Sequence, residues 1–269
     1  MLWRIRGGIE MKFKKYFFDE WKDKTEIEKK AIKSLKMGLE LLLETVPRNE
    51  LVAVYVKGSF LTREMNEKSD VDFVTILRTG KYVKALKELH QQYANHFSPS
   101  LQLNPAYTLH ELRASKRRKQ NPPNTHPSRF VKHITDFKIV YGKELTPTNF
   151  RARPDEKDIL GSAKFLIKEM IPELEKKQRG KPHRQEIAGF SSILKATLWL
   201  AESELRYARI PYEFSYSGIN NAMKNPHHIV HQAYDLRLHP TKDKITRRRF
   251  IEELKQHLQK VLTKYGKHT

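Results

Sequence analysis

Two apolar runs constrain this chain more than any other feature: Leu51-Val52-Ala53-Val54-Tyr55-Val56 and Val71-Asp72-Phe73-Val74-Thr75-Ile76-Leu77. Both are rich in β-branched and aromatic residues, which marks strands, and both are too apolar for a surface ribbon. Between them stand Lys57, Gly58-Ser59 and a ten-residue spacer that ends at Asp70. Residues i and i+2 of a strand share a face, so Asp70 and Asp72 are expected side by side. Two like charges held together are costly unless a metal or cationic partner neutralises them. Mg²⁺ suits this pair, because it takes hard oxygen ligands and binds through one or two carboxylates plus substrate phosphates. Gly58 lets the chain turn sharply and lets a phosphate approach the backbone. Ser59 adds a hydroxyl and an N–H where a short helix is expected to begin, which is an anion site.

Gly58-Ser59, the spacer and Asp70-Val71-Asp72 resemble the signature of the DNA polymerase β-type nucleotidyltransferase superfamily, especially its small stand-alone members. The resemblance implies that Gly58 and Ser59 hold a triphosphate and that Asp70 and Asp72 bind Mg²⁺ or Mn²⁺. It implies attack of an acceptor on the α-phosphate of an NTP, with ATP the expected nucleotide and pyrophosphate leaving. Arg63, in the spacer, is a further candidate for the phosphates or the acceptor; its other reading is a surface arginine. Members of the family usually carry a third carboxylate on a later strand. Here that strand, expected over 101–107, reads Leu101-Gln102-Leu103-Asn104 and offers amides. Gln102 or Asn104 supplies at most a neutral oxygen and cannot take up a proton as a carboxylate does. Glu111 is the nearest acid beyond them, although Thr108 and Glu111 also have the spacing of a helix capping box. Phe137-Lys138-Ile139-Val140-Tyr141-Gly142, a strand ending at glycine, extends the resemblance to residues 26–145.

The 269 residues carry a net charge of +21, which favours a polyanionic partner such as RNA. It disfavours a small cationic acceptor, because such a molecule is repelled on approach. RNA or a protein acceptor fits better. Basic knots at Lys116-Arg117-Arg118-Lys119, Lys176-Lys177-Gln178-Arg179-Gly180-Lys181 and Arg247-Arg248-Arg249 could line a nucleic-acid groove or be solvated helix faces. Without cysteine there is no disulfide, thiolate metal site or cysteine nucleophile. No apolar stretch reaches membrane-spanning length and the first residues lack a secretion signal, so a cytoplasmic protein is expected.

The expected fold class is α+β, a polymerase β-type nucleotidyltransferase domain followed by an all-α helical bundle. Residues 1–25 are an N-terminal extension, 26–150 the nucleotidyltransferase domain and 151–269 the bundle. In the first domain, helices are expected over 26–45 and 81–95, and 116–127 is expected to be a loop. Helices are then expected over 155–178, 182–207, 225–236 and 241–265 from their apolar spacing. His227 and His231 have an i,i+4 metal spacing without a third ligand nearby, and the simpler reading is a helix opened by Asn225-Pro226. The missing third carboxylate supports an alternative function: a weakly active or inactive module that binds nucleic acid or a protein partner.

Overall fold

A computed structural model describes residues 16–67, 69–93, 96–103, 106–116, 126–185 and 187–266. The chain is mixed α+β and divides into two compact units. One takes the described residues up to Thr108 together with Phe137–Leu145; the other takes Leu109–Asp136 and the residues from Thr146 onward.

The first unit is built on the two apolar runs. They form β1 (Leu51–Lys57) and β2 (Val71–Leu77), which pair antiparallel with Val56 opposite Phe73 and Lys57 opposite Asp72. The expected third strand is split into β3 (Leu101–Gln102) and β4 (Ala106–Thr108), both parallel to β2. On the other side of β1 runs β5 (Lys138–Gly142), antiparallel to it. Gly142 closes β5 at φ +83°, where an added methyl group would strike the carbonyl of Val52. Two helices, α1 (Glu26–Thr45) and α2 (Val83–Tyr93), cover one face of this sheet. Thr25 and Glu28 cap α1 reciprocally: the Glu28 N–H donates to Thr25 Oγ1 (3.3 Å) and the Thr25 N–H to Glu28 Oε2 (2.8 Å). Val54, Val56, Val71 and Phe73 meet Leu35, Leu39 and Leu86 in the core beneath α1 and α2. Alternation therefore assigns Lys57, Asp72 and, just before β2, Asp70 to the opposite face.

The N-terminal extension also contributes to this unit. Phe17, Phe18 and Trp21 gather around the fully buried Phe60, with ring centroids 5.1–6.1 Å apart. Residues 1–15 lie outside the described residues.

The second unit is helical. Residues 155–178 form α5 (Asp155–Phe165), a π-helical turn at Leu166–Met170 and α6 (Ile171–Gln178). Pro172 lies just after the wider turn, and a proline N has no hydrogen to give to the carbonyl one turn back. Next come α7 (Phe190–Tyr207), α8 (Tyr216–Ala222), α9 (Ile229–Leu238) and α10 (Lys244–Gly266). The helix expected from 182 begins only at Phe190, and α8 falls in a segment whose sequence carried no helical stripe. α9 opens at Ile229 on a His228 cap; Asn225 and Pro226 lie in the turn before it. Ile159, Leu166, Leu198, Leu200, Phe250, Leu254 and Leu258 form the core.

Residues 109–136, expected in the first domain, belong with these helices as α3 (Leu109–Ala114) and α4 (Pro127–His133). Charge and hydrogen bonding explain the assignment. Lys132 pairs with Asp155 and, at 2.6 Å, with Asp158. His133 Nε2 lies 2.7 Å from Glu202 Oε1 on α7, and Arg129 stacks 4.3 Å over Trp199. The Arg153 N–H donates to Ser128 Oγ at 2.7 Å. Among the described residues no helix is long and apolar enough to cross a membrane.

Candidate active site

Gly58 leaves β1 at φ +79°, a left-handed conformation that side-chain-bearing residues rarely adopt. Its carbonyl accepts from Leu61 N–H (3.0 Å) and Thr62 N–H (3.2 Å), and Ser59 O accepts from Glu64 N–H (2.9 Å). The result is a compact turn, not the short helix expected from Ser59. Arg63, itself at φ +56°, ends any helical continuation. The N–H groups of Ser59 and Phe60 take no part in the turn's own hydrogen bonds, as at a helix start.

A methyl group on Gly58 would collide with Asp72 Oδ2. The turn backbone and the second aspartate, fourteen positions apart in the chain, are thus in contact distance. Asp70 and Asp72 are half-buried, whereas Val71 and Phe73 between and after them are fully buried. This alternation fits a shared face for the two acids. Lys57 Nζ lies 3.1 Å from Asp72 Oδ1, so part of the negative charge is balanced within the chain. Lys57 was not singled out from sequence. Its signal is the hairpin register itself, which sets it opposite Asp72.

Gln102 is the register partner of Asp72 across the parallel β2–β3 pair, and it is half-buried. An amide therefore occupies the strand position beside the second aspartate. Asn104 lies outside the described residues. Glu111 is buried in the first turn of α3, in the helical unit, with Thr108 at the position preceding the helix. Among the described residues of the sheet unit, no third acid or histidine clusters with Asp70 and Asp72.

Arg63 is engaged elsewhere. Its Nε donates to Glu28 Oε1 (2.8 Å), and its Nη2 donates to Glu28 Oε2 (3.1 Å) and Asp23 O (3.1 Å). The guanidinium also stacks 5.1 Å over Trp21. Glu28 is buried, and the Arg63 hydrogen bonds hold its carboxyl below the usual carboxylate range. Arg63 therefore fastens the end of the Gly58 turn to the start of α1.

No protein-family model matches this chain, and no curated protein matches it. Its chemistry has to be judged on the side chains. The two half-buried aspartates beside a glycine turn are hard oxygen donors of the kind that suit Mg²⁺. Lys57 occupies part of that place as a competing cation.

The histidines separate differently from their sequence spacing. His227 is exposed, while His231 meets Asn220 Oδ1 and Asn225 O, each at 2.9 Å. Their neighbour His228 instead turns to Glu204 on α7, with His257 of α10 close by. Residues so far apart in sequence leave no spacing signal; only the packing of α7, α9 and α10 assembles them.

Proposed function

We propose that this chain is a Mg²⁺-dependent nucleotidyltransferase of the polymerase β type, moving a nucleoside monophosphate from an NTP to an acceptor. One observation carries the proposal: the positive-φ Gly58 turn packs against the Asp72 carboxylate. A phosphate-cradling backbone and a metal-binding acid would have to meet in just this way. Asp70 and Asp72 would hold the ion, and Ser59 with its neighbouring N–H groups would receive phosphate oxygens. When bound, Mg²⁺ supplies positive charge against the transferring phosphoryl group and the leaving pyrophosphate. The chain's own residues orient the triphosphate and keep Lys57 close enough to exchange between Asp72 and a phosphate. An acceptor oxygen forms its bond to the α-phosphorus as the bond to pyrophosphate breaks. The acceptor proton then goes to solvent or to an acceptor-borne base, because Gln102 cannot take it.

The net charge of +21 favours RNA, or a protein partner, as acceptor over a small cation. A second reading, a binding module with little or no catalysis, is favoured by the Lys57–Asp72 ion pair and the amide at Gln102. One assay separates the two: pyrophosphate release from each of the four NTPs, with Mg²⁺ or Mn²⁺, with and without RNA. The transferase reading expects turnover that falls on the order of 10²–10³-fold in Asp70→Asn or Asp72→Asn. Nucleotide binding without turnover, weakened by the same substitutions, would select the binding module. Absence of both binding and turnover rejects the site.

A further inference from the structure

We infer that the helical unit holds a second, separate metal site for a zinc-class ion, built from Glu204, His228 and His257. The three ligand atoms lie within 4.8 Å of one another. Glu204 Oε2, near the end of α7, stands 3.1 Å from Nε2 of His228, the cap of α9. It stands 3.8 Å from Nε2 of His257, in the middle of α10. The two imidazoles are 4.5 Å apart and nearly perpendicular, so both edges can face one point. Tetrahedral zinc, with bonds of about 2.0–2.1 Å, sets its ligand atoms roughly 3.3 Å apart. The observed separations bracket that value.

One atom is not accounted for by protein contacts. His257 Nε2 is buried and has no hydrogen-bond partner, and 3.8 Å is too long for it to bond Glu204. Buried polar atoms without partners are rare, and a bound ion is one way to satisfy such an atom. Two imidazoles and one carboxylate suit Zn²⁺, Co²⁺ or Ni²⁺, not Mg²⁺ or Ca²⁺, and three protein ligands leave a fourth position open.

The chemistry has a traceable proton. His228 Nδ1 accepts the Val230 N–H at 3.2 Å, so the neutral ring carries its proton on Nε2 and gives it to Glu204. Metal binding at Nε2 would move the ring proton to Nδ1 and exchange the cap hydrogen bond from Val230 for a metal–nitrogen bond.

The test uses the full chain, stripped with chelator and titrated with ZnCl₂ in excess Mg²⁺ by calorimetry, with Co²⁺ absorption as the geometric readout. A single ion per chain and a tetrahedral Co²⁺ spectrum are expected. His257→Gln, close in size, and His228→Asn, which retains a cap-forming side chain, should each lower affinity by more than about tenfold. Circular dichroism of both variants checks that they are folded, and exposed His227→Gln should bind as the parent does. The inference fails if the parent takes up no zinc, or if both folded variants bind as tightly as the parent. It also fails if uptake is lost in Asp70→Asn/Asp72→Asn instead, a result that would place the ion at the acid pair. Loss of nucleotide turnover with zinc binding intact would leave this site standing and reject only the transferase.

Discussion

Gly58 is where local conformation and site chemistry coincide. Alanine there must adopt a left-handed backbone, costing about 1–2 kcal/mol, and its methyl group must displace the Asp72 carboxylate. Gly58→Ala should therefore lower stability by about that amount in urea denaturation while weakening nucleotide binding by a larger factor. Equal losses in both would make the turn a scaffold only. The turn at Gly58 and the alternation around Asp70 and Asp72 were legible in the sequence because both are local features. Arg63 was not, because its role depends on Glu28, 35 positions away. A guanidinium in a phosphate-binding spacer and one locked onto a buried carboxylate look the same in a string of letters. Lys57 escaped notice for a related reason, since only strand register sets it against Asp72.

At the scale of elements, long periodic helices and apolar strands were readable, and short or interrupted ones were not. α1 matches its expected span because its apolar residues keep helical spacing throughout. α4 was not anticipated: its seven residues follow a basic, proline-rich stretch and begin with Pro127, so no stripe develops. The helix over 155–178 was readable as a whole, but the π turn that widens it before Pro172 was not. One link between elements can be tested directly. The clamp from Arg63 to Glu28, Asp23 and Trp21 ties the Gly58 turn to α1 and to the aromatic group of Phe17, Phe18 and Phe60. Arg63→Ala leaves a buried carboxylate unpaired and should lower Tm by several degrees. Arg63→Lys should recover only a small part, because an ammonium cannot fork across two carboxylate oxygens. Full recovery by lysine would show that charge alone suffices.

At the scale of the whole molecule, pH acts through buried ion pairs. In the helical unit Glu202 is almost wholly buried. Burial pushes its carboxyl up, but His133, Arg129 and Tyr212 more than offset this and hold it at about 2 against an ordinary 4.5. Its contribution is complete above pH 4.5 and is lost as the pH falls through about 2, with a ceiling of about 3 kcal/mol. His133 is raised by the same pairing and by Asp136, despite its burial, so its share is present below the ordinary histidine range. That share disappears as the pH rises through the elevated value. Stability measured by urea midpoint should thus fall on acidification below pH 4.5, and Glu202→Gln should flatten that limb. An unchanged slope in the variant would assign the acid sensitivity elsewhere.

The order of segments has its own outcome. The partner on the open side of β1 is β5, and the chain reaches it only after building α3 and α4, which belong to the other unit. A single cut after Leu145 therefore releases the sheet unit only with α3 and α4 still attached, and two cuts are needed to free it of them. Truncation at Thr108 would strip β1 of one neighbour and leave its row of peptide groups available to another chain. The same holds during synthesis. Until residue 142 has left the ribosome, the nascent sheet has a bare border along β1.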